Sequence, residues 1–378
     1  MIERFEIDVD DSVLEDLRGR LERTRFPDQI EGTGWEYGIP VDYLRELVAY
    51  WRDEYDWRSQ EARLNDFSHF RTRIDDQSIH FIHARSAHAG ALPLLLVHGW
   101  PGSVVEFLDV IPRLTEPEAH GGEPADAFHV VAPSLPGYSF SEPTHTRGWD
   151  PWRIARAFTD LMRRLGYDRY GAQGGDWGAQ VTTRMAALDP EHCVALHLNM
   201  PIADRPEDEV PLTEDEKADL AAMSHFRREE SGYAMEQSTK PQTLGVALND
   251  SPVGLLAWIV EKFRTWSDCD GHPESAFTRD QLITNVMTYW ATQTITSSAR
   301  LYWELQHAGS DARPPEFVKV PTGIARYPKE PIRLPRAWAE RRYNVTHWTQ
   351  MPRGGHFAAM EQPALFVDDL RTFFRKVR

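Results

Sequence analysis

Residues 174–178, which read Gly-Gly-Asp-Trp-Gly, constrain the fold of this chain more than any other segment. They follow a strand-like run at 167–173 and precede the helical pattern of 179–188. Glycines on both sides of Asp176 allow a sharp turn between a strand and a helix, and such a turn projects the central side chain above the edge of a sheet. The segment therefore predicts an α/β fold with Asp176 at a strand-to-helix turn.

Strand-like and helix-like segments alternate along much of the chain. Residues 92–97 form an unbroken apolar run, which is typical of a strand buried on both faces of a parallel sheet. Residues 154–165 have the apolar spacing of an amphipathic helix. Further strand patterns lie at 70–74, 79–84, 128–132, 194–198 and 318–325, and further helical patterns lie at 13–21, 41–57 and 104–114. We therefore predict a mostly parallel central sheet covered by helices.

These patterns divide the chain into an N-terminal region, an α/β core and an insertion. The alternating pattern occupies 68–200 and 313–378, while residues 1–67 are helical. Residues 201–312 have helical patterns and an acidic character between two strands of the core. We expect this insertion to form a lid over the carboxyl ends of the strands, where open α/β sheets bind ligands.

The charge balance and the cysteines limit the partners and the compartment. The chain has 42 Lys and Arg residues against 58 Asp and Glu residues, a net charge of −16, so nucleic acid is not expected as a partner. Cys193 and Cys269 are too few for a disulfide framework, which favours the cytoplasm. We expect neither an export signal nor a membrane anchor, because no apolar run of about 18 residues occurs.

A carboxylate at the position of Asp176 restricts the chemistry. A carboxylate is already ionised at neutral pH and can attack a saturated carbon to form an alkyl ester with the enzyme. A serine in the same place would need activation and would suit acyl transfer. The sequence therefore indicates an epoxide or an alkyl halide as the substrate rather than an ester.

Two further motifs lie where predicted strands end. Residues 98–103, His-Gly-Trp-Pro-Gly-Ser, follow the strand at 92–97, so the main-chain N–H groups of Trp100 and Trp177 are candidates for an oxyanion hole. His356 lies before the C-terminal helical pattern and after the nucleophile in chain order. That is where this fold keeps its general base.

A third residue must orient His356 and stabilise its charged form, and an acid at a strand end between Asp176 and His356 would do so. Glu330, which follows the strand pattern ending near 325, is the best candidate. Glu304 and Asp250 are the alternatives.

The remaining histidines do not indicate a metal site. His80 and His83 alternate with apolar residues in a strand pattern and are expected to pack. The sequence has no His-Glu-x-x-His zinc motif, so we predict neither a metal nor a cofactor.

Together these segments resemble the microsomal-type epoxide hydrolase family, which includes the juvenile hormone epoxide hydrolases. The resemblance covers nearly the whole chain and is strongest at 98–103, 174–178, 321–330 and 353–361. It implies an α/β-hydrolase fold with a helical lid. It also implies that the N-terminal region meanders around the catalytic domain. The membrane-bound members of this family begin with a hydrophobic anchor, and we expect no such anchor here.

The resemblance also implies two further catalytic residues. In this family two lid tyrosines hydrogen-bond the epoxide oxygen, and Tyr233 and Tyr302 match their positions. Together with Trp100 and Trp177 they are expected to contact the substrate.

We therefore predict an epoxide hydrolase that converts a hydrophobic epoxide and water to a vicinal diol through an ester on Asp176. One alternative is a haloalkane or haloacid dehalogenase, which would use the same nucleophile and base. The other is a non-catalytic hydrolase-fold protein that binds a small molecule. The sequence leaves open which epoxide is used and which oligomeric state the protein adopts.

Overall fold

The computed structural model describes residues 1–208 and 211–378, and within them nine strands form one central sheet. The strands are β1 (Ile2–Phe5), β2 (His69–Ile74), β3 (Gln77–Ala84), β4 (Leu92–Val97), β5 (Phe128–Pro133), β6 (Tyr170–Gly174), β7 (Cys193–Leu198), β8 (Val318–Arg326) and β9 (Tyr343–Gln350). Their spatial order is β1-β2-β3-β5-β4-β6-β7-β8-β9. The three pairs from β1 to β5 are antiparallel and the five pairs that follow are parallel. The prediction of a mostly parallel sheet is confirmed.

The parallel strands bring distant parts of the sequence to one edge of the sheet. Leu94, Leu95 and Leu96 of β4 are fully buried because helices cover both faces of the sheet centre. Since parallel strands end at the same edge, the segments that follow β4, β6 and β8 lie side by side. Those segments carry Trp100, Asp176 and Glu330.

Fifteen α-helices occur in the described residues. They are α1 (Asp11–Glu22), α2 (Val41–Asp53), α3 (Trp57–Asn65), α4 (Ile111–Thr115), α5 (Pro151–Arg164), α6 (Asp176–Leu188), α7 (Glu214–Glu229), α8 (Gly232–Thr239), α9 (Pro241–Asp250), α10 (Pro252–Trp266), α11 (Arg279–Trp290), α12 (Ile295–His307), α13 (Arg336–Arg342), α14 (Ala358–Glu361) and α15 (Pro363–Phe374). The N-terminal helices contact the lid: the Tyr50 hydroxyl donates to Asp280 Oδ1 at 2.7 Å.

The prediction of one helix over 41–57 is wrong. The helix α2 ends at Asp53, and a separate helix begins at Trp57. Asp56 separates them because its side chain accepts the N–H of Arg58 at 3.0 Å, which is the N-cap arrangement of a new helix.

The prediction of one helix over 104–114 is also wrong. A 3-10 helix spans Val104–Phe107, and α4 begins only at Ile111. Pro112 explains the break, because proline lacks an N–H and its ring would clash with the carbonyl of Leu108 in a continuous helix.

The lid consists of α7 to α12 and is attached to the loop after β4. Asn285 Nδ2 donates to the carbonyl of Pro101 at 2.8 Å, and the Tyr289 hydroxyl donates to that of Gly102 at 2.6 Å. No single described helix is long and apolar enough to cross a membrane, whereas α9 and α10 meet that criterion only as a pair bent by 114°. The helical lid is confirmed. The division of the chain at residues 67, 200 and 312 stays a prediction.

Candidate active site

Asp176 lies at a turn that only small neighbours permit. Its φ is +50°, which lies in the left-handed region, and it directly follows β6. A Cβ on Gly99 would lie 2.3 Å from Asp176 Oδ1, and a Cβ on Gly178 would lie 1.9 Å from the carbonyl oxygen of Val97. The glycines therefore let the turn pack directly against the end of β4, with Asp176 at the carboxyl edge of the sheet.

Main-chain N–H groups surround the Asp176 carboxylate. The N–H of Trp100 donates to Asp176 Oδ1 at 2.9 Å, and the N–H of Trp177 forms a second hydrogen bond to this carboxylate. Burial raises the pKa of Asp176, and the charge of His356 and the two N–H groups oppose that rise. The two backbone groups selected from the sequence thus meet at one carboxylate.

His356 lies between two acids. Its Nδ1 is 2.9 Å from Glu330 Oε2, and its Nε2 is 3.6 Å from Asp176 Oδ2. Burial lowers the pKa of His356, but the charges of Glu330 and Asp176 outweigh it and bring the pKa to about 9. The two neighbouring acids therefore favour the charged form of His356.

The alternative acids have partners elsewhere. Glu304 Oε2 accepts the N–H of Gly148 at 2.8 Å, and Asp250 forms an ion pair with Arg20 at 2.6 Å. Glu330, by contrast, is only 2% exposed and contacts the imidazole directly.

The loop that carries His356 is anchored by residues that sequence reasoning did not select. The N–H of His356 donates to the carbonyl of Trp266 at 2.9 Å, so the end of α10 positions the loop. Glu361 accepts the N–H groups of Phe357 at 2.9 Å and Asp268 at 2.8 Å. Trp266 lies in the insertion predicted to form the lid, and its indole ring also packs edge-on against His356 at 5.0 Å between centroids. No local motif distinguishes a tryptophan with this function from a core tryptophan.

The two lid tyrosines meet above the nucleophile. Tyr233 begins α8 and Tyr302 lies in α12, with ring centroids 6.0 Å apart and a hydrogen bond between their side chains. Tyr233 stacks on Trp100 at 5.1 Å, and Tyr302 packs edge-on against Trp177 at 4.7 Å. Burial raises the pKa of both hydroxyls, and the charge of Asp176 raises them further.

His80 and His83 lie in packed surroundings. His80 is within 2.8 Å of the His69 ring and 2.9 Å of Ser134 Oγ, and His83 is 2.7 Å from the Tyr167 hydroxyl. Among the described residues, no group of three or more His, Cys, Asp or Glu side chains could hold a metal ion.

Fold and site together define a class of protein. A mostly parallel sheet that carries a nucleophile turn, a histidine and an acid at its carboxyl edge is an α/β hydrolase. Its nucleophile position holds a carboxylate instead of a serine.

Known proteins resemble this chain over nearly its full length. Residues 2–107 match the family model "epoxide hydrolase N terminus", and residues 93–243 match the model of the α/β hydrolase fold. A relative from Stigmatella aurantiaca (strain DW4/3-1) is 50% identical over 378 residues, which cover 99% of this chain and 85% of the relative. Epoxide hydrolase 1 of Sus scrofa is 41% identical over 400 residues, with 98% and 88% covered.

The solved structures agree with this family. The crystal structure of juvenile hormone epoxide hydrolase from the silkworm Bombyx mori has a TM-score of 0.92 and 34% identity, covering 100% of this chain and 95% of that chain. The chain belongs to the epoxide hydrolase family.

Proposed function

We propose that this epoxide hydrolase converts a hydrophobic epoxide and water to a vicinal diol through a covalent ester on Asp176. One observation carries the proposal: the two oxygens of this partly buried carboxylate have different surroundings. Oδ1 accepts the N–H of Trp100 at 2.9 Å, whereas Oδ2 faces His356 Nε2 at 3.6 Å. Oδ2 is therefore the oxygen that attacks carbon, and Oδ1 becomes the carbonyl oxygen of the ester in the oxyanion hole.

The first step opens the ring. Attack on one epoxide carbon breaks its bond to oxygen, and the negative charge that develops there needs a donor. Tyr233 and Tyr302 supply it, because the hydroxyl of a tyrosine is protonated at neutral pH and can donate a hydrogen bond to the developing alkoxide. The indole rings beside the tyrosines favour a hydrophobic substrate.

The second step hydrolyses the ester. Ester formation removes the Asp176 charge that helps to raise the pKa of His356, so the imidazole becomes a stronger acid and its proton passes to the alkoxide oxygen formed by ring opening. Neutral His356 then takes a proton from water, which attacks Cγ of Asp176. The N–H groups of Trp100 and Trp177 hold the oxyanion, each lowering the barrier by about 3–4 kcal/mol. Glu330 keeps the imidazole oriented throughout.

A dehalogenase would use the same carboxylate but would need N–H donors for the departing halide. The indole Nε1–H of Trp177, which hydrogen-bonds the Tyr302 hydroxyl, is the donor that such a reaction would use. The paired hydroxyls of Tyr233 and Tyr302 favour an epoxide oxygen instead. Halide release from a bromoalkane at a rate above that of diol formation would favour the dehalogenase.

A single turnover in H₂¹⁸O, with enzyme in excess over styrene oxide, tests the covalent route. We expect the first diol to contain no ¹⁸O and the label to appear in the peptide that contains Asp176, because water attacks the ester carbonyl. Label in the first diol would contradict the proposal, since it would mean direct attack of water on the ring. The predicted cytoplasmic location, the hydrophobic character of the substrate and the lack of a nucleic acid partner or membrane anchor stay predictions.

A further inference from the structure

A small cavity lies beside the catalytic carboxylate. Its lining includes Asp176, His356, Glu106, Gln173 and Asn199, but neither of the two lid tyrosines. Its volume of about 20 Å³ is sufficient for one water molecule. The cavity therefore adjoins the nucleophile and the base but is separate from the groups that hold the epoxide oxygen.

The wall of the cavity contains an unused hydrogen-bond acceptor. Gln173 is 2% exposed, and its Nε2 donates to Asn199 Oδ1 at 2.8 Å. Its Oε1 is buried and has no partner among the described residues. A buried acceptor beside a cavity of this size is a typical site for a bound water, because burying it without a partner would cost about 1–3 kcal/mol.

Glu106 turns a carboxyl group toward the same cavity. Its side chain folds back over Gly102, where an added Cβ would lie only 1.6 Å from Oε1. Burial raises the pKa of Glu106 to about 8, although the charge of His356 opposes the rise. Part of its surface stays accessible, as expected of a side chain that faces a cavity. Glu106 is thus close enough to interact electrostatically with both Asp176 and His356.

A purely structural role for Glu106 would be helix capping. The N–H of Ser103 hydrogen-bonds the Glu106 carboxyl group, and Ser103 Oγ accepts the N–H of Val105 at 3.2 Å. Ser103 is thus the N-cap of the 3-10 helix Val104–Phe107, and the Glu106 carboxyl group reaches back to its N–H. Capping does not require a carboxyl group beside the nucleophile and the base, where burial is costly.

We propose that Glu106 is a positioning residue that holds the hydrolytic water in this cavity. The proposal rests on the ester mechanism given above. An oxygen of Glu106, ionised or protonated, accepts one O–H of the water while His356 Nε2 takes the other proton. The water oxygen bonds to Cγ of Asp176, the bond from Cγ to the alkyl oxygen breaks, and His356 returns its proton to that oxygen. The carboxylic acid left at Asp176 then gives its remaining proton to His356, so the products are the diol and the Asp176 carboxylate, which now contains one oxygen from water.

Glu106→Met tests the proposal because it keeps the side-chain length and removes both oxygens. Stopped-flow tryptophan fluorescence and rapid quench would measure ester formation and ester hydrolysis separately. We expect ester formation within about 2-fold of wild type and hydrolysis slower by about 10-fold or more, so that the ester accumulates. Glu106→Gln keeps one acceptor oxygen, so its rate of ester hydrolysis should lie between those of wild type and Glu106→Met.

The control is Glu61→Met, which removes another buried glutamate, 2.7 Å from the N–H of Val9 and remote from the site. It should lower stability and leave the ratio of the two rates unchanged. Wild-type hydrolysis in Glu106→Met, or equal slowing of both steps, would overturn the proposal. If Glu106→Met does not fold, Glu106→Gln supports the same comparison. Absence of an ester even in His356→Gln would contradict the ester mechanism rather than the role of Glu106.

Discussion

The core side and the lid side of this active site are held by different forces. On the core side, Asp176, His356 and Glu330 lie on turns beyond the strands, fixed by main-chain contacts and short hydrogen bonds. On the lid side, Tyr233 and Tyr302 lie on helices and are held largely by ring contacts. The proposed mechanism assigns both half-reactions to the core side and only ring opening to the lid side. The two sides should therefore respond differently to substitution.

The largest effect expected in this comparison is that of Glu330→Gln on the core side. Loss of the charge beside His356 Nδ1 lowers the pKa of the imidazole and removes the acceptor that orients it. We expect ester hydrolysis to slow by about 10²–10⁴-fold, in the range of general acid–base catalysis. Glu304→Gln is the matched control, because Glu304 binds Gly148 instead. Pre-steady-state kinetics on both variants would check this, and the reverse order of effects would show that the wrong acid was chosen.

Tyr233→Phe and Tyr302→Phe should affect the opposite half-reaction. Each removes one donor to the developing alkoxide, so we expect ester formation to slow by about 10²–10³-fold. Hydrolysis of an ester already formed should change by less than about 3-fold, because neither tyrosine lines the cavity beside the base. Equal slowing of both steps would mean that the lid tyrosines contribute to ester formation and to ester hydrolysis alike. The core side and the lid side of the site would then not differ in function.

A smaller effect is expected on the pH dependence of ester formation. Ester formation requires ionised Asp176, so its rate should fall as pH decreases through the pKa of Asp176, which burial raises above its ordinary value. The charge of His356 lowers that pKa, so His356→Gln should move the acid limb of ester formation to higher pH. The pH dependence of the single-turnover rate would measure this shift. A limb that stays in place or moves to lower pH would contradict the proposed coupling.

The same contrast explains what the sequence could predict. Asp176 was recognisable because its strained turn requires glycines on both sides, and these glycines are adjacent in sequence. Glu330 could be ranked above Glu304 and Asp250 only by its place after a strand, since the contact with His356 spans 26 residues. Tyr233 and Tyr302 carry no local signal, because a tyrosine on a helix is ordinarily a packing residue.

Some features could not have been predicted locally. Glu106 lies in a segment interpreted as one helix, and its approach to the cavity depends on the open space at Gly102. The contact of Trp266 with the His356 loop links the lid to the last part of the core. Both features arise from tertiary packing between segments that are distant in sequence.

The central claim is that Asp176 forms an ester that His356 hydrolyses. Intact-protein mass spectrometry of His356→Gln after incubation with styrene oxide, followed by peptide mapping, tests it most directly. We expect a stable mass increase of one styrene oxide, located on Asp176, because the nucleophile is present and the base is absent. An unmodified His356→Gln protein under conditions in which the wild type forms diol would contradict the account.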